Sequence, residues 1–273
     1  METEPTAQGQ GVLPAGLGEA IRTTAEDIAA VLRTAADTGL PVPRSEWTVG
    51  EAAAHLAQAN ELMADIAAGR ARPYGDGTPP GLAAANARAL DAFPERGAAP
   101  LAEMITDQAA AFLRAIDERA PDDVLDTPLG PMDPAVLGSY LLTHMLGHGY
   151  DLAQALRRPH MIDRARVELT LPFMITAMPR VVDPAAVKGL SARFTVRLWG
   201  GARFGVTVAD DVVHTTARPV ERPDCTILTE PVAFLLLGLG RCDPWRAIAG
   251  GRALSWGRKP WLGPRFPLLF TAP

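Results

Sequence analysis

Apolar residues recur at intervals of three and four through most of the first 160 positions, and at intervals of two through much of the rest. Ile21, Ala25, Ile28, Leu32 and Ala36 predict an amphipathic helix over 17–36, ended at Gly39, with Pro41 and Pro43 holding the next segment extended. The first sixteen residues read as frayed chain. Trp47-Thr48-Val49-Gly50-Glu51 predicts a helix start, because Thr48 can cap the Glu51 amide while Glu51 reaches back to Thr48. That helix runs to about 68. Its inward face carries Ala52, Leu56, Ala59, Met63 and Ile66, with His55 and Leu62 on the same side. Further helix is expected over 82–92, 101–119 and from Pro134 to near 157, with loops at 70–81 and 121–134. Four main helices in this order predict a bundle.

Beyond 160 the pattern changes. One more helical stretch over 165–181 precedes short alternating runs at 192–199, 203–208, 212–217 and 225–228, separated by Gly-Gly, Asp-Asp and proline. Residues 232–239 and 245–249 read as helix, and 253–256 as a last short strand. The fold class expected is α+β in two domains: a helical bundle over 1–160, then a smaller α+β domain with an antiparallel sheet over 161–273.

Charge divides along the same line. Residues 1–160 carry 11 basic and 22 acidic side chains, whereas 161–273 carry 15 basic and 9 acidic ones. Opposite balances suit two units that attract each other or flank a shared cleft. The basic excess is scattered and lacks interleaved aromatics, so nucleic-acid binding is a poor fit. The apolar run from Val232 to Leu237 is too short to span a bilayer. Glu2 and Glu4 stand where a secretory signal would be basic, so a cytoplasmic location is expected. Cys225 and Cys242 are too few for a disulfide framework or a cysteine-based metal site.

The chemistry concentrates in Thr143-His144-Met145-Leu146-Gly147-His148-Gly149-Tyr150-Asp151. Residues four apart share a helix face, so His144 and His148 present two imidazoles one turn apart, and Asp151 follows three residues on. Leu137, Leu141, His144, His148, Leu152 and Ala155 keep the rhythm of a buried stripe, which turns both rings inward, where polar groups need partners. Two imidazoles hold two corners of a metal site and a third ligand must come from elsewhere. Of the five histidines, His55 is the candidate on another helix of the same bundle; His160 follows Pro159 beyond the helix end, and His214 falls in a strand of the second half.

Trp47-Thr48-Val49 with His55 after it, and the run from Thr143 to Pro159 containing Tyr150-Asp151-Leu152-Ala153 and Arg158-Pro159, resemble the mycothiol-dependent maleylpyruvate isomerase family. The resemblance implies a DinB-like four-helix bundle followed by a domain of sterol-carrier type. It also implies a divalent metal, typically zinc, and mycothiol, a small cytoplasmic sugar thiol of actinobacteria. A genome of that kind fits 24 arginines against 2 lysines. His55, His144 and His148 are then the metal ligands, and Asp151 a partner for an imidazole N–H or for the cofactor. Isomerases of the family commonly carry glutamate where His144 stands, while related thiol S-transferases carry three histidines.

Three neutral imidazoles leave more positive charge at the metal than a set containing glutamate, which favours holding a thiolate. The expected activity is therefore S-transfer, in which the metal-held thiolate attacks a small electrophilic substrate. The alternative is a mycothiol-dependent cis–trans isomerase of maleylpyruvate type. From other classes, a lipid or small-molecule carrier and a non-catalytic metal-binding protein remain open. Asp151, Arg241 and Arg246 are the candidate catalytic residues, the arginines pairing an anionic substrate, and Tyr150 and Arg252 the candidate cofactor-binding ones.

Overall fold

The helical rhythm of the first half becomes α1 (Leu17–Leu32), α2 (Val49–Ala67), α3 (Pro79–Ala92), α4 (Ala98–Ile116) and α5 (Pro134–Ala155). The computed structural model describes residues 12–70, 74–76 and 78–271. The expected frayed start up to residue 11, and residues 71–73 and 77 of the expected 70–81 loop, lie outside these. Two compact units divide the chain: Met1–Tyr74 with Ala85–Met161, and Gly75–Ala84 with Ile162–Pro273. The division falls next to residue 160, and the segment 75–84 groups with the second unit.

In the first unit α1, α2, α4 and α5 pack on one another. Leu17, Ile21, Ile28 and Leu32 of α1, Leu56 of α2, Phe112 of α4 and Leu137 of α5 are fully buried. These are the inward positions of each helical repeat, so burial of one apolar stripe per helix drives the assembly. The chain ends α1 four residues earlier than the periodicity alone suggests, because Arg33 closes it and a short turn follows. Helix α5 is buried nearly all round, as expected of the element at the centre of a bundle.

The second unit holds α6 (Arg164–Ala177), the one-turn α7 (Pro184–Val187), strands β1 (Ala192–Leu198), β2 (Arg203–Ala209), β3 (Val212–Thr216) and β4 (Cys225–Thr229), helices α8 (Pro231–Gly238) and α9 (Pro244–Ala249), and β5 (Ala253–Gly257). The strand order is β3-β2-β1-β4-β5. Asp210 and Asp211, both at positive φ, make the tight turn of the β2–β3 hairpin. The sheet is mixed where an antiparallel one was expected, because β4 runs parallel to β1, with Phe194 opposite Cys225. Alternation of side chains fixes which face a strand buries, not its direction.

Asp224 anchors that parallel pair. Its Oδ2 accepts from the Arg193 amide at 2.9 Å and its Oδ1 from Arg258 Nη2 at 2.6 Å. Burial alone would raise this carboxyl, but the Arg193 amide and the Arg258 guanidinium outweigh it and hold the group below its ordinary range. Asp224→Ala should lower the unfolding free energy by about 1–3 kcal/mol, read as a lower urea midpoint. A depressed carboxyl contributes stability above its unfolded pKa and loses it as pH falls through the folded one. The difference between wild type and variant should therefore shrink in acid.

Candidate metal centre

The site is built from two helix faces, and each is fixed locally before packing joins them. Thr48 caps α2: its hydroxyl accepts from the Glu51 amide, and Glu51 Oε2 accepts from the Thr48 amide at 2.7 Å. These bonds to Thr48 hold the Glu51 carboxyl below its ordinary range. His55 lies two turns inside this start. On α5, Asp133 caps through the Val136 amide at 2.8 Å with Pro134 in the first turn. His144 and His148 follow one turn apart. Gly149, next to His148, touches α1: a Cβ there would stand 2.8 Å from Ile28 Cγ1 and 2.9 Å from Met161 Sδ.

Packing of α2 on α5 brings the three histidines together. One nitrogen from each of His55, His144 and His148 lies within 4.8 Å of the others. His55 Nε2 and His144 Nε2 are 3.2 Å apart. Ring centroids are separated by 4.5 Å for His144–His148, 4.9 Å for His55–His148 and 5.2 Å for His55–His144. A tetrahedral zinc bound at about 2.0–2.1 Å needs its ligand nitrogens about 3.3 Å apart. The Nε2 pair already stands at that spacing. A hydrogen bond between one protonated and one bare ring nitrogen would give the same distance. The third imidazole makes the difference, since convergence of three suits a cation. The donor set, three imidazoles with a position left over, fits a zinc-type centre.

Asp151 Oδ2 lies 3.5 Å from His148 Nδ1, with both side chains mostly buried. At that distance the contact is a charge pairing rather than a hydrogen bond. Trp47 is the residue that sequence reading missed. Its indole lies 4.8 Å from the His55 ring and 6.0 Å from the His148 ring, and forms one wall of the site. The available signal was its position just before the cap, where a large apolar side chain folds over the first turns of the helix.

Tyr150 lies two residues past His148, roughly 200° further round the helix. Its ring packs at 5.5 Å from that of His160 rather than on the histidine trio. His214 is exposed on β3, opposite Thr207. Arg241, Arg246 and Arg252 all belong to the second unit. Arg241 Nη1 donates to the Leu239 carbonyl at 2.8 Å, Arg252 Nη2 approaches Cys242 Sγ at 3.6 Å, and Arg246 is exposed.

The profile described as mycothiol maleylpyruvate isomerase N-terminal domain matches residues 19–153, the span that contains all three histidines. The helical unit is a member of this family. Two solved structures similar to the chain are a mycothiol-dependent maleylpyruvate isomerase and a histidine-to-alanine mutant of such an enzyme. The former is 13% identical with a TM-score of 0.49, and the latter 12% identical with a TM-score of 0.51. Each match covers 90% of this chain and 95% of the other. At this identity the likeness of the mutant structure shows the fold alone. No curated protein matches the chain. Among the described residues, no helix of the chain is long and apolar enough to cross a membrane.

Proposed function

We propose that the chain is a metal- and mycothiol-dependent enzyme acting on a small electrophilic molecule. The observation that carries this reading is the convergence of His55, His144 and His148 inside a domain whose family description names mycothiol. When bound, a divalent metal, zinc by its ligand set, supplies the charge that keeps a cofactor thiol deprotonated at neutral pH. The three imidazoles are neutral ligands and do not offset that charge. Asp151 acts as a positioning residue, holding the proton on His148 Nδ1 so that Nε2 faces the centre. Trp47 excludes water beside His55 and His148. Arg241 and Arg246 are proposed to pair an anionic substrate, and Tyr150 and Arg252 to hold the cofactor. For the arginines, charge chemistry alone supports the assignment.

The reaction proposed is cis–trans isomerisation, in which the thiol adds reversibly to a cis double bond, the adduct rotates, and the thiol leaves. The comparisons name maleylpyruvate isomerases, and this reverses the order of preference drawn from His144. S-transfer stays as the second reading because His144 makes the site all-histidine. Incubation of the zinc-loaded protein with mycothiol and maleylpyruvate separates them. An isomerase yields the trans product while free thiol stays constant; a transferase consumes one thiol per electrophile. A chain that does neither with maleylpyruvate or a panel of electrophiles is not an enzyme of this kind.

No protein thiol takes part in this reading. Burial pushes the Cys225 thiol up to about 11, with the Asp224 charge adding to the shift, so it is protonated at neutral pH. Cys242 lies in the second unit beside Arg252. The Cys225→Ser/Cys242→Ser double variant should keep its thiol-dependent turnover within about twofold. Loss of turnover with the metal retained would place the nucleophile on the protein.

A further inference from the structure

A cluster of polar side chains near the histidines has no part in the metal chemistry, and a few contacts place it. On α2, Gln58 stands one turn past His55, and its Nε2 donates to the Ala89 carbonyl of α3 at 3.0 Å. Arg96, just beyond α3, stands against the start of α2, where a Cβ on Gly50 would lie 3.0 Å from the Arg96 carbonyl oxygen. Helix α3 therefore runs antiparallel to α2, and Asn86 lies one turn beyond Ala89 on the side away from His55. Two rises of three residues put Asn86 about 9 Å along α2 from His55.

Helix α5 reaches the same end. Trp47 meets His148 and His55 meets His144, so α5 also runs antiparallel to α2, and Tyr140, one turn before His144, is level with Asn86. Tyr74 joins the two sides. Its hydroxyl donates to Asn86 Oδ1 at 2.6 Å, a length that suits O–H···O rather than N–H···O and turns Asn86 Nδ2 the other way. Burial, with the Tyr74 phenol adding to it, raises the Tyr140 hydroxyl above its ordinary range. Asn86 is half-buried, and its Nδ2 has no partner among the described residues. All of these residues belong to the first unit.

Gln58, Tyr74, Asn86 and Tyr140 are all neutral at physiological pH, so a charged group placed among them would lack a counter-charge. A hydroxyl suits Asn86 Nδ2 as an acceptor. At about 3.3–3.6 Å for every three bonds of extended chain, 9 Å is about eight bonds, so the group read here is remote from the reacting sulfur. Resting on the mycothiol reading above, we propose that Asn86 is a specificity-determining residue of the thiol site, its Nδ2 donating to a hydroxyl on the sugar tail of the cosubstrate. Tyr74 is a positioning residue that fixes the Asn86 amide, and Gln58 holds α3 at this height.

The test is calorimetric titration of the full zinc-loaded chain with mycothiol and with N-acetylcysteine, a thiol that lacks the sugar. The expected result is tighter binding of mycothiol. Asn86→Asp keeps the acceptor for Tyr74 and the size of the side chain but replaces the N–H donors by an oxygen. It should weaken mycothiol about tenfold or more, equal to about 1.4 kcal/mol, while N-acetylcysteine affinity and zinc content stay unchanged. Asn86→Leu, which adds no charge, should show the same selective loss. Tyr74→Phe should weaken mycothiol by less, again sparing N-acetylcysteine. Equal loss for both thiols in the variants, or unchanged mycothiol affinity in both Asn86 variants, would overturn the assignment. Equal binding of the two thiols by the wild-type chain would overturn it too while leaving the metal-held thiol in place, whereas a chain that binds neither thiol removes both.

Discussion

Replacement of His148 by alanine should abolish metal binding, from about one zinc per chain to near zero. His148 is the second ring from α5, its centroid 4.5 Å from that of His144 and 4.9 Å from that of His55. Removing it leaves two imidazoles on two different helices and, among the described residues, no third histidine in the group. Loss of an outer-shell partner of a metal ligand already costs about 10–100-fold in affinity or activity, and loss of the ligand itself should cost more. Thiol-dependent turnover should therefore fall by more than about 100-fold. The fold should survive, because the ring lies at the edge of the core rather than among its fully buried side chains. Elemental analysis beside a far-ultraviolet circular dichroism spectrum reads both quantities. Equal zinc in variant and wild type would remove His148 from the ligand set.

The second large effect lies one residue further on. Gly149→Leu places a side chain where even a Cβ stands 2.8 Å from Ile28 Cγ1 and 2.9 Å from Met161 Sδ. Ile28 is fully buried in α1, and close-packed interiors yield little to an added side chain. Leucine forms helix better than glycine by roughly 0.8–1.0 kcal/mol, so helix propensity works against the clash and cannot be its cause. Overpacking of this kind costs about 1–3 kcal/mol, and the net change should still be destabilising. Relief requires α5 to shift away from α1, and His148 moves with it. Metal affinity should thus fall together with the urea midpoint. A variant as stable as wild type would mean that α1 and α5 are not in contact at this glycine.

Much of this was legible along the chain. The spacing of Leu137, Leu141, His144, His148 and Leu152 determined a buried stripe with two imidazoles in it, because one helical turn repeats side-chain direction whatever the surroundings. Thr48 and Glu51 determined where α2 starts, since a capping box acts within four residues. Helix ends were less legible. The periodic run to Ala36 continues past Leu32, and a change of apolar spacing does not mark where backbone hydrogen bonding stops.

What only the tertiary structure decided involves residues far apart in sequence. That His55 Nε2 comes within 3.2 Å of His144 Nε2 depends on α2 packing against α5, across 89 residues. The sequence made His55 a candidate by its inward face, but a face does not specify which neighbour it meets. The indole of Trp47 could be placed over a helix start from its position, yet its contact with both His55 and His148 exists only once the helices are assembled. Tyr150 shows the converse. It lies two residues past His148 in sequence, yet its ring meets that of His160, a contact that adjacency along the chain does not specify. The direction of β4 was decided in the same way. Its alternation is equally satisfied by parallel and antiparallel partners, and the choice rests on the path from β3 around to the far side of β1, where Asp224 joins the Arg193 backbone to Arg258. Local chemistry sets what each segment can become, while long-range packing selects which residues it meets.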